Sequence, residues 1–579
     1  MKSTLPTFKP MVIFSFLIIL LTSCNKEELF IPKELLQEEE EITTEEEEIG
    51  DNEFTVILND DFYETYENTA ITIDPSENDG EINSDIILSY TDPSNGILII
   101  ENESIVYTPN DGFTGEDSFI YEVCDGETGL ICFEANVNIM VNVHENTGIE
   151  GEFKAFPSAY GAGAYITGGR GGRVLHITRL DDAYEPGTLR WALNQKYPRI
   201  IVFDVSGVIN INTQTIHLNG DDYGDVSILG QTAPRGGITI TGGRIWFEYT
   251  RNLIIRYIKF RNGHTSNNGD CLTIARSTDV IVDHCSFSYS KDEALDVAGS
   301  FDPTDGNITL SNNLFGECKT AMIVGHDNVG PYGSVSVLRN ATANVGWRFP
   351  KTGGALEIDI INNVHHNWKN RTIRMDDNDF TVNQINNYYQ AGSETGFNAL
   401  AKMWTNPNMS PRIHTSGNFV SPSIKPDGFD EDQSLGWQKF HTSTVELKPE
   451  WFSDVRLPIQ GAALPILSSE EAFDDVLSSV GACHSLNSDG SVDFFRDSLD
   501  EGYVDLIRNK SNQRAMGLDA YGAMPTSIPS NIRPDDYDTD GDGMPDEWER
   551  LVFGDLTKEA NGDEDGDGYS NLEEFLYQI

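Results

Sequence analysis

The chain has 579 residues, with 93 Asp and Glu against 39 Lys and Arg, for a formal net charge of −54. That length calls for several domains, and the acidity, with no basic stripe or interleaved aromatic and basic residues, excludes a nucleic-acid-binding surface. The charge is uneven: residues 25–150 carry 34 acids and 2 bases, residues 534–579 carry 16 and 2, and residues 151–533 carry 43 and 33, so the centre remains compatible with an anionic substrate.

The N-terminus reads as an export signal. Lys2 and Lys9 precede the apolar run MVIFSFLIILL, Met11 to Leu21, which is too short to span a bilayer and has the length of a signal-peptide core. LTSC, ending at Cys24, resembles a bacterial lipobox, and the NKEE after it resembles the surface-export signal of Bacteroidetes lipoproteins. These resemblances imply an outer-membrane lipoprotein, lipidated at Cys24, held to the membrane by its lipid alone and displayed at the cell surface. Secretion after ordinary cleavage is the alternative. Residues 25–50, with EEEE twice and no periodicity, repel themselves and read as an extended tether.

Residues 51–147 alternate apolar and polar, as in DSFIYEVCD and ANVNIMVNV, between turns rich in Asn, Asp, Pro and Gly. This pattern predicts an antiparallel β-sandwich. YTPNDGFTGEDSFIYEVCD resembles the cadherin-like or Ig-like repeats of bacterial surface proteins, which implies a spacer. Cys124 and Cys132 flank a short turn in what should be an oxidising compartment, and are expected to form a local disulfide.

Residues 151–530 repeat themselves. Phe260, Phe287 and Phe315 follow one another at 27 and 28 positions, and the Asn pairs 362–363 and 386–387 at 24. Short β-rich units of that period indicate a solenoid, since each unit needs neighbours to bury its apolar face. The fold class is therefore all-β, with a right-handed parallel β-helix at its centre and stacked Asn amides at its corners. The stretch from about 395 to 530 is less regular, and is expected to place loops and short helices along the last coils. Cys271, Cys285 and Cys318 recur at about the same spacing without any CxxC, so core stacking is expected rather than a zinc site.

KDEALDV, Lys291 to Val297, crowds Asp292, Glu293 and Asp296 into a strand-like stretch. Carboxylates that close oppose one another's ionisation, and a bound cation would resolve the conflict. Positions i and i+4 of a straight strand lie about 13 Å apart, too far to share one ion at about 2.4 Å from each oxygen. Asp292 must then sit on the turn entering the strand, unless a bend brings Glu293 in its place. Alternation turns Leu295 and Val297 to the core and Asp296 outward.

The segments ITGGRGGRVLHITRL, GTLRWAL, RIIVFDVSGVINI, ILGQTAPRGGITITGG, NLIIRYIKFRNG, GDCLTIARSTDVIVDHCSFSYSKDEALDV and NITLSNNLFGECKTAMIVG resemble the pectate lyases of polysaccharide lyase family one, from about 155 to 390. The resemblance implies a parallel β-helix, a polygalacturonate substrate, calcium, and cleavage by β-elimination. It implies calcium ligands at Asp270, Asp292 and Asp296, a substrate-binding and catalytic lysine at Lys319, and a catalytic arginine at Arg348, in WRFPKTGG. Many members carry a second arginine five positions later, where this chain has Gly353, so Lys351 is the expected substitute. Trp347 is a candidate for stacking on a sugar ring or for core packing. Asp283 and His284 are expected to be a buried structural pair, and Arg170 and Arg173, in GGRGGR, lack the following GK[ST] of a phosphate loop. A polygalacturonase-type hydrolase and a non-catalytic surface adhesin are the competing readings.

At the C-terminus, DTDGDGMPDEWE places Asp538, Asp540, Asp542, Asp546 and Glu549 at positions 1, 3, 5, 9 and 12 of an EF-hand-type loop, with Gly543 at 6. DEDGDGYSNLEE repeats this with Asp563, Asp565, Asp567, Asn571, Glu574 and Gly568. Hard oxygen ligands around a glycine turn predict calcium. Residues 534–579 thus read as a separate structural module resembling dockerin or thrombospondin calcium segments.

Overall fold

The computed structural model describes residues 57–579 apart from 67–70, 77, 81–85, 102–103, 111–112, 114, 126–130, 143–152, 213, 262–268, 299–305, 326–332, 355–356, 377–378, 396–399 and 512–528. The expected signal segment, Cys24 and the acidic tether lie outside the described residues.

Strands between Asp61 and Asn142 form a sandwich of a four-stranded and a three-stranded sheet. Alternate side chains turn inward, so Ile105, Tyr107, Phe119, Tyr121, Val137 and Ile139 share one core. Among the described residues its pairings are antiparallel but one: Asp61–Tyr66 runs parallel to Cys132–Asn142. The first strand joins the sheet beside the last, and strands so far apart in sequence have no hairpin to force them antiparallel. Cys124 and Cys132 face each other across their ladder and are bonded, with Cα atoms 4.0 Å apart.

From Arg173 to Ser453 the chain winds into three parallel sheets of nine, nine and eleven strands. Stacking sets like on like. Phe260, Phe287 and Phe315 form an inner column with centroids 5.2 and 5.0 Å apart. Asn313, Asn340, Asn363, Asn387 and Asn418 form an amide ladder, each Nδ2 donating to the next Oδ1 at 2.9–3.0 Å. The residue before the ladder position is Asn at 312, 362 and 386, with φ of +54, +55 and +49°, a left-handed conformation that Asn tolerates. One Asn of each pair turns the corner and the other stacks. Cys271, Cys285 and Cys318 are buried in the solenoid core.

The stretch expected to be irregular divides in two. Solenoid strands continue through Arg412–Ser416, Trp437–Lys439 and Phe452–Ser453. The helices Ser469–Ser479 and Ser498–Arg508 then lie back across the middle coils, where Tyr289, Leu314, Ala341 and Val364 offer an apolar wall. Arg261 Nη2 donates to Asp500 at 2.8 Å, and Tyr503 packs so closely on Gly316 that a Cβ there would stand 2.0 Å from the ring.

Residues 529–579 do not form a core of their own. Their helices, Asp546–Val552 and Asn571–Leu576, have 7 and 6 residues, too few to be stable without tertiary packing. Met544, Trp548, Leu572, Phe575 and Leu576 instead share one cluster with Phe156, Ile166, Ile200, Val202, Ile254 and Ile281. Arg170 of GGRGGR serves this junction, donating to Glu573 at 2.6 Å, while Arg173 lies over the Tyr197 ring.

Candidate active site

One nine-stranded sheet carries the acidic stretch. In coil order it includes Arg244–Glu248, Leu272–Ala275, Glu293–Ala298, Thr320–Val324, Lys351–Thr352, Ile373–Met375 and Ala401–Met403. Leu295 and Val297 are in the core, as alternation requires. The register places Thr273, Asp296, Ile323, Lys351, Arg374 and Lys402 in one outward row.

Asp292 sits on the turn before the strand. The N–H groups of Lys291 and Asp292 donate to the Gly269 carbonyl at 2.9 and 3.2 Å, and the Thr320 hydroxyl donates to the Asp292 carbonyl at 2.6 Å. A Cβ at position 269 would stand 2.5 Å from the Asp292 Cβ, so glycine is what lets the two turns touch. Oxygens of Asp270, Asp292 and Glu293 thereby lie within 4.8 Å of one another. This trio contains Glu293 where Asp296 was expected, because the turn brings consecutive residues to Asp270 while Asp296 stays three positions along the strand. The group therefore contains both Asp292 and Glu293.

Asp296 still belongs to the neighbourhood. Burial, and then the charges of Asp270 and Asp292, push its carboxyl up to about 7, and its Oδ1 is buried without a hydrogen-bond partner. Burial also raises Asp270, against the pull of Arg244, whose Nη1 donates to it at 3.0 Å.

Cations face these acids. Lys319 Nζ lies 3.2 Å from Asp292 Oδ1, and Arg348 pairs with Glu293. Arg348 has φ +66°, a left-handed conformation that costs an L residue about 1–2 kcal/mol. Burial lowers its pKa, and Arg374 lowers it further against Asp292 and Asp376. Lys351 reaches Asp376 at 3.5 Å.

Two guanidinium groups escaped the sequence reading. Arg374 is the register partner of Lys351 and donates to Asp376 at 2.8 Å. It follows Lys351 by 23 positions, one coil length, so the repeat spacing contained the signal. Arg371 lies 5.5 Å from the Trp347 ring centroid and 5.4 Å from that of Phe440. Burial, then Arg374 and Arg348, bring its pKa down to about 10. Half-buried Trp347 is thus a platform for Arg371. Asp283 and His284 are structural, as expected: buried Asp283 accepts from Arg256 at 2.9 Å and contacts His284 at 2.8 Å, which holds its carboxyl below the usual range.

In the C-terminal loops, Asp538, Asp540 and Asp542 form one group of oxygens within 4.8 Å, and Asp563, Asp565 and Asp567 a second. Glu549 is fully buried, and burial followed by the nearby aspartates pushes it up to about 8. Glu574 is raised by the same causes. The position-nine side chains stand outside both trios: Asp546 accepts from the Thr539 N–H at 2.8 Å, and Asn571 donates to the Glu559 carbonyl at 2.9 Å.

A family described as pectate lyase matches residues 191–418, and one described as bacterial Ig domain matches residues 52–139. The chain is 31% identical over 423 residues to a probable pectate lyase C of Emericella nidulans, covering 72% of this chain and 91% of that protein. It is 31% identical over 426 residues to a probable pectate lyase C of Aspergillus flavus, covering 72% and 92%. The crystal structure of the cedar pollen allergen Jun a 1 aligns with a TM-score of 0.42 at 19% identity, over 56% of this chain and 92% of that one. The sequence identity favours a lyase over the hydrolase and adhesin readings. With an Ig-like unit before it and a parallel β-solenoid presenting carboxylates and cations on one face, this chain is an enzyme that belongs to the pectate lyase family.

Proposed function

We propose that the enzyme cleaves polygalacturonate by calcium-assisted β-elimination, yielding 4,5-unsaturated oligogalacturonides. The observation that carries this reading is the juxtaposition, on one outer face, of the Asp270–Asp292–Glu293 trio with Lys319 and Arg348 bonded directly to two of its members.

The donor set fits calcium, since it offers only hard carboxylate oxygens and the buried, unpartnered Oδ1 of Asp296 lies beside it. Asp270, Asp292, Glu293 and Asp296 are the residues that would hold the ion. Bound there, calcium would neutralise the uronate carboxylate and make the hydrogen at C5 more acidic. Lys319 supplies fixed positive charge where negative charge develops on the sugar, and Lys351 and Arg374 continue that charge into the next coils. Arg348 is the group assigned the C5 proton in this reading, a role that requires its nitrogen within about 3 Å of that carbon. An ordinary guanidinium titrates at about 12.5 or above, and burial and Arg374 shift this one in the useful direction.

Incubation with polygalacturonate, with and without a chelator, tests the reading. It expects ultraviolet absorbance from a conjugated double bond that chelation abolishes. New reducing ends without that absorbance would show hydrolysis and sink it. We also propose that the chain is exported and anchored at the cell surface through a lipid on Cys24. Cys24→Ala is then expected to release the enzyme from the membrane fraction, and unchanged partitioning would refute the anchor.

A further inference from the structure

We infer that the first C-terminal acidic loop, Asp538 to Glu549, holds a divalent cation of the calcium type whose binding fastens the C-terminal segment to the outer wall of the solenoid. Cation loading at this loop then sets the stability of the catalytic domain itself.

The aspartate trio alone would not carry this, since exposed acids often cluster without an ion. Glu549 does. Its relative exposure is 0%, and among the described residues neither of its carboxylate oxygens has a hydrogen-bond partner. A buried carboxylate without a donor is costly, and here it stands at position 12 of the loop, where a bidentate ligand belongs. The backbone is already folded around the position such an ion would take: the Gly541 and Gly543 N–H groups donate to the two oxygens of Asp538 at 2.8 and 2.9 Å, with φ of +74 and +96°.

The coupling to the solenoid follows from what the loop touches. A Cβ at Gly543 would stand 3.0 Å from Val174 of the strand Arg173–Ile177. His176, on the same strand, bridges loop and wall, with Nε2 3.3 Å from the Gly541 carbonyl and Nδ1 3.0 Å from Asp204. Met544 and Trp548, inside the loop sequence itself, are buried against Ile200, Val202, Ile254 and Ile281 of the solenoid's outer face. Anything that orders the loop therefore orders the apolar plug that covers this wall.

The test uses the full chain, with calcium titrations and scanning calorimetry on the wild type, Glu549→Gln and the catalytic-site variant Asp270→Asn. Calcium is expected to raise the Tm of the solenoid transition in the wild type and in Asp270→Asn. Glu549→Gln is expected to bind one calcium fewer and to lose most of that rise, while still forming unsaturated product in excess calcium. If Glu549→Gln does not fold, Asp540→Asn, whose side chain is exposed, is expected to weaken the loop's calcium affinity about tenfold or more through the lost charge. Equal stoichiometry and an equal Tm rise in wild type and loop variants would overturn the inference. Loss of the Tm rise in Asp270→Asn alone would also overturn it, by assigning the effect to the catalytic ion.

Discussion

Arg348 joins the acidic and basic halves of the site through its pair with Glu293, so its replacement separates charge from chemistry. Arg348→Lys keeps a cation but changes the shape and pKa of the proton acceptor. Its kcat is expected to fall about 100-fold or more, with circular dichroism unchanged. Arg374 acts differently, since it lies one coil further along and is held by Asp376. If Arg374 serves a substrate carboxylate as proposed, Arg374→Ala should raise KM about tenfold with a smaller change in kcat, read by steady-state kinetics. Asp296 predicts a pH dependence. Its carboxyl titrates at about 7 in the folded chain, against 3.8 ordinarily, so the folded state binds its proton more tightly than the unfolded one does. In the metal-free enzyme its stabilising contribution is therefore complete below about pH 4 and lost as pH rises through 7. A cation competes with that same proton, so calcium affinity at this site should increase from pH 6 to pH 8. Titrations at both values check this, and Asp296→Asn should flatten the difference.

At the scale of elements, the amide ladder is the feature whose energetics can be read most directly. Asn363 Oδ1 accepts from Asn340, and its Nδ2 donates to Asn387 Oδ1 and the Val337 carbonyl, all fully buried. Asn363→Ala leaves those partners unsatisfied, and denaturant unfolding should show a loss of about 2–4 kcal/mol. The ladder was legible beforehand because its 24-residue spacing is written in the Asn pairs themselves. Arg374 follows Lys351 by 23 positions, one coil length, and was missed because a single arginine at that distance stands out only once the register is known. Asp292's place on the entering turn followed from strand geometry, whereas Glu293's membership of the trio did not. It depends on Gly269, whose missing Cβ allows a neighbouring coil to come close enough to meet that turn.

The whole molecule is less modular than its charge distribution suggests. A chain ended at residue 530 loses Met544, Trp548, Leu572 and Phe575 and uncovers Ile200, Val202, Ile254 and Ile281 on the solenoid wall. Such a chain is expected to melt at a lower temperature and to aggregate, measurable by calorimetry and light scattering. The β class, the coil period, the Cys124–Cys132 bond and the acidic loops could all be read along the chain, because each is a local pattern of turn residues, alternation or spacing. It took the folded chain to reveal that the late helices lie on the middle coils, that the C-terminal segment packs on the solenoid's outer wall, and that Arg371 and Arg374 stand on the basic side of the site. Those contacts join residues tens to hundreds of positions apart, and they are set by register and by which apolar walls remain to be buried, quantities that no window of sequence contains.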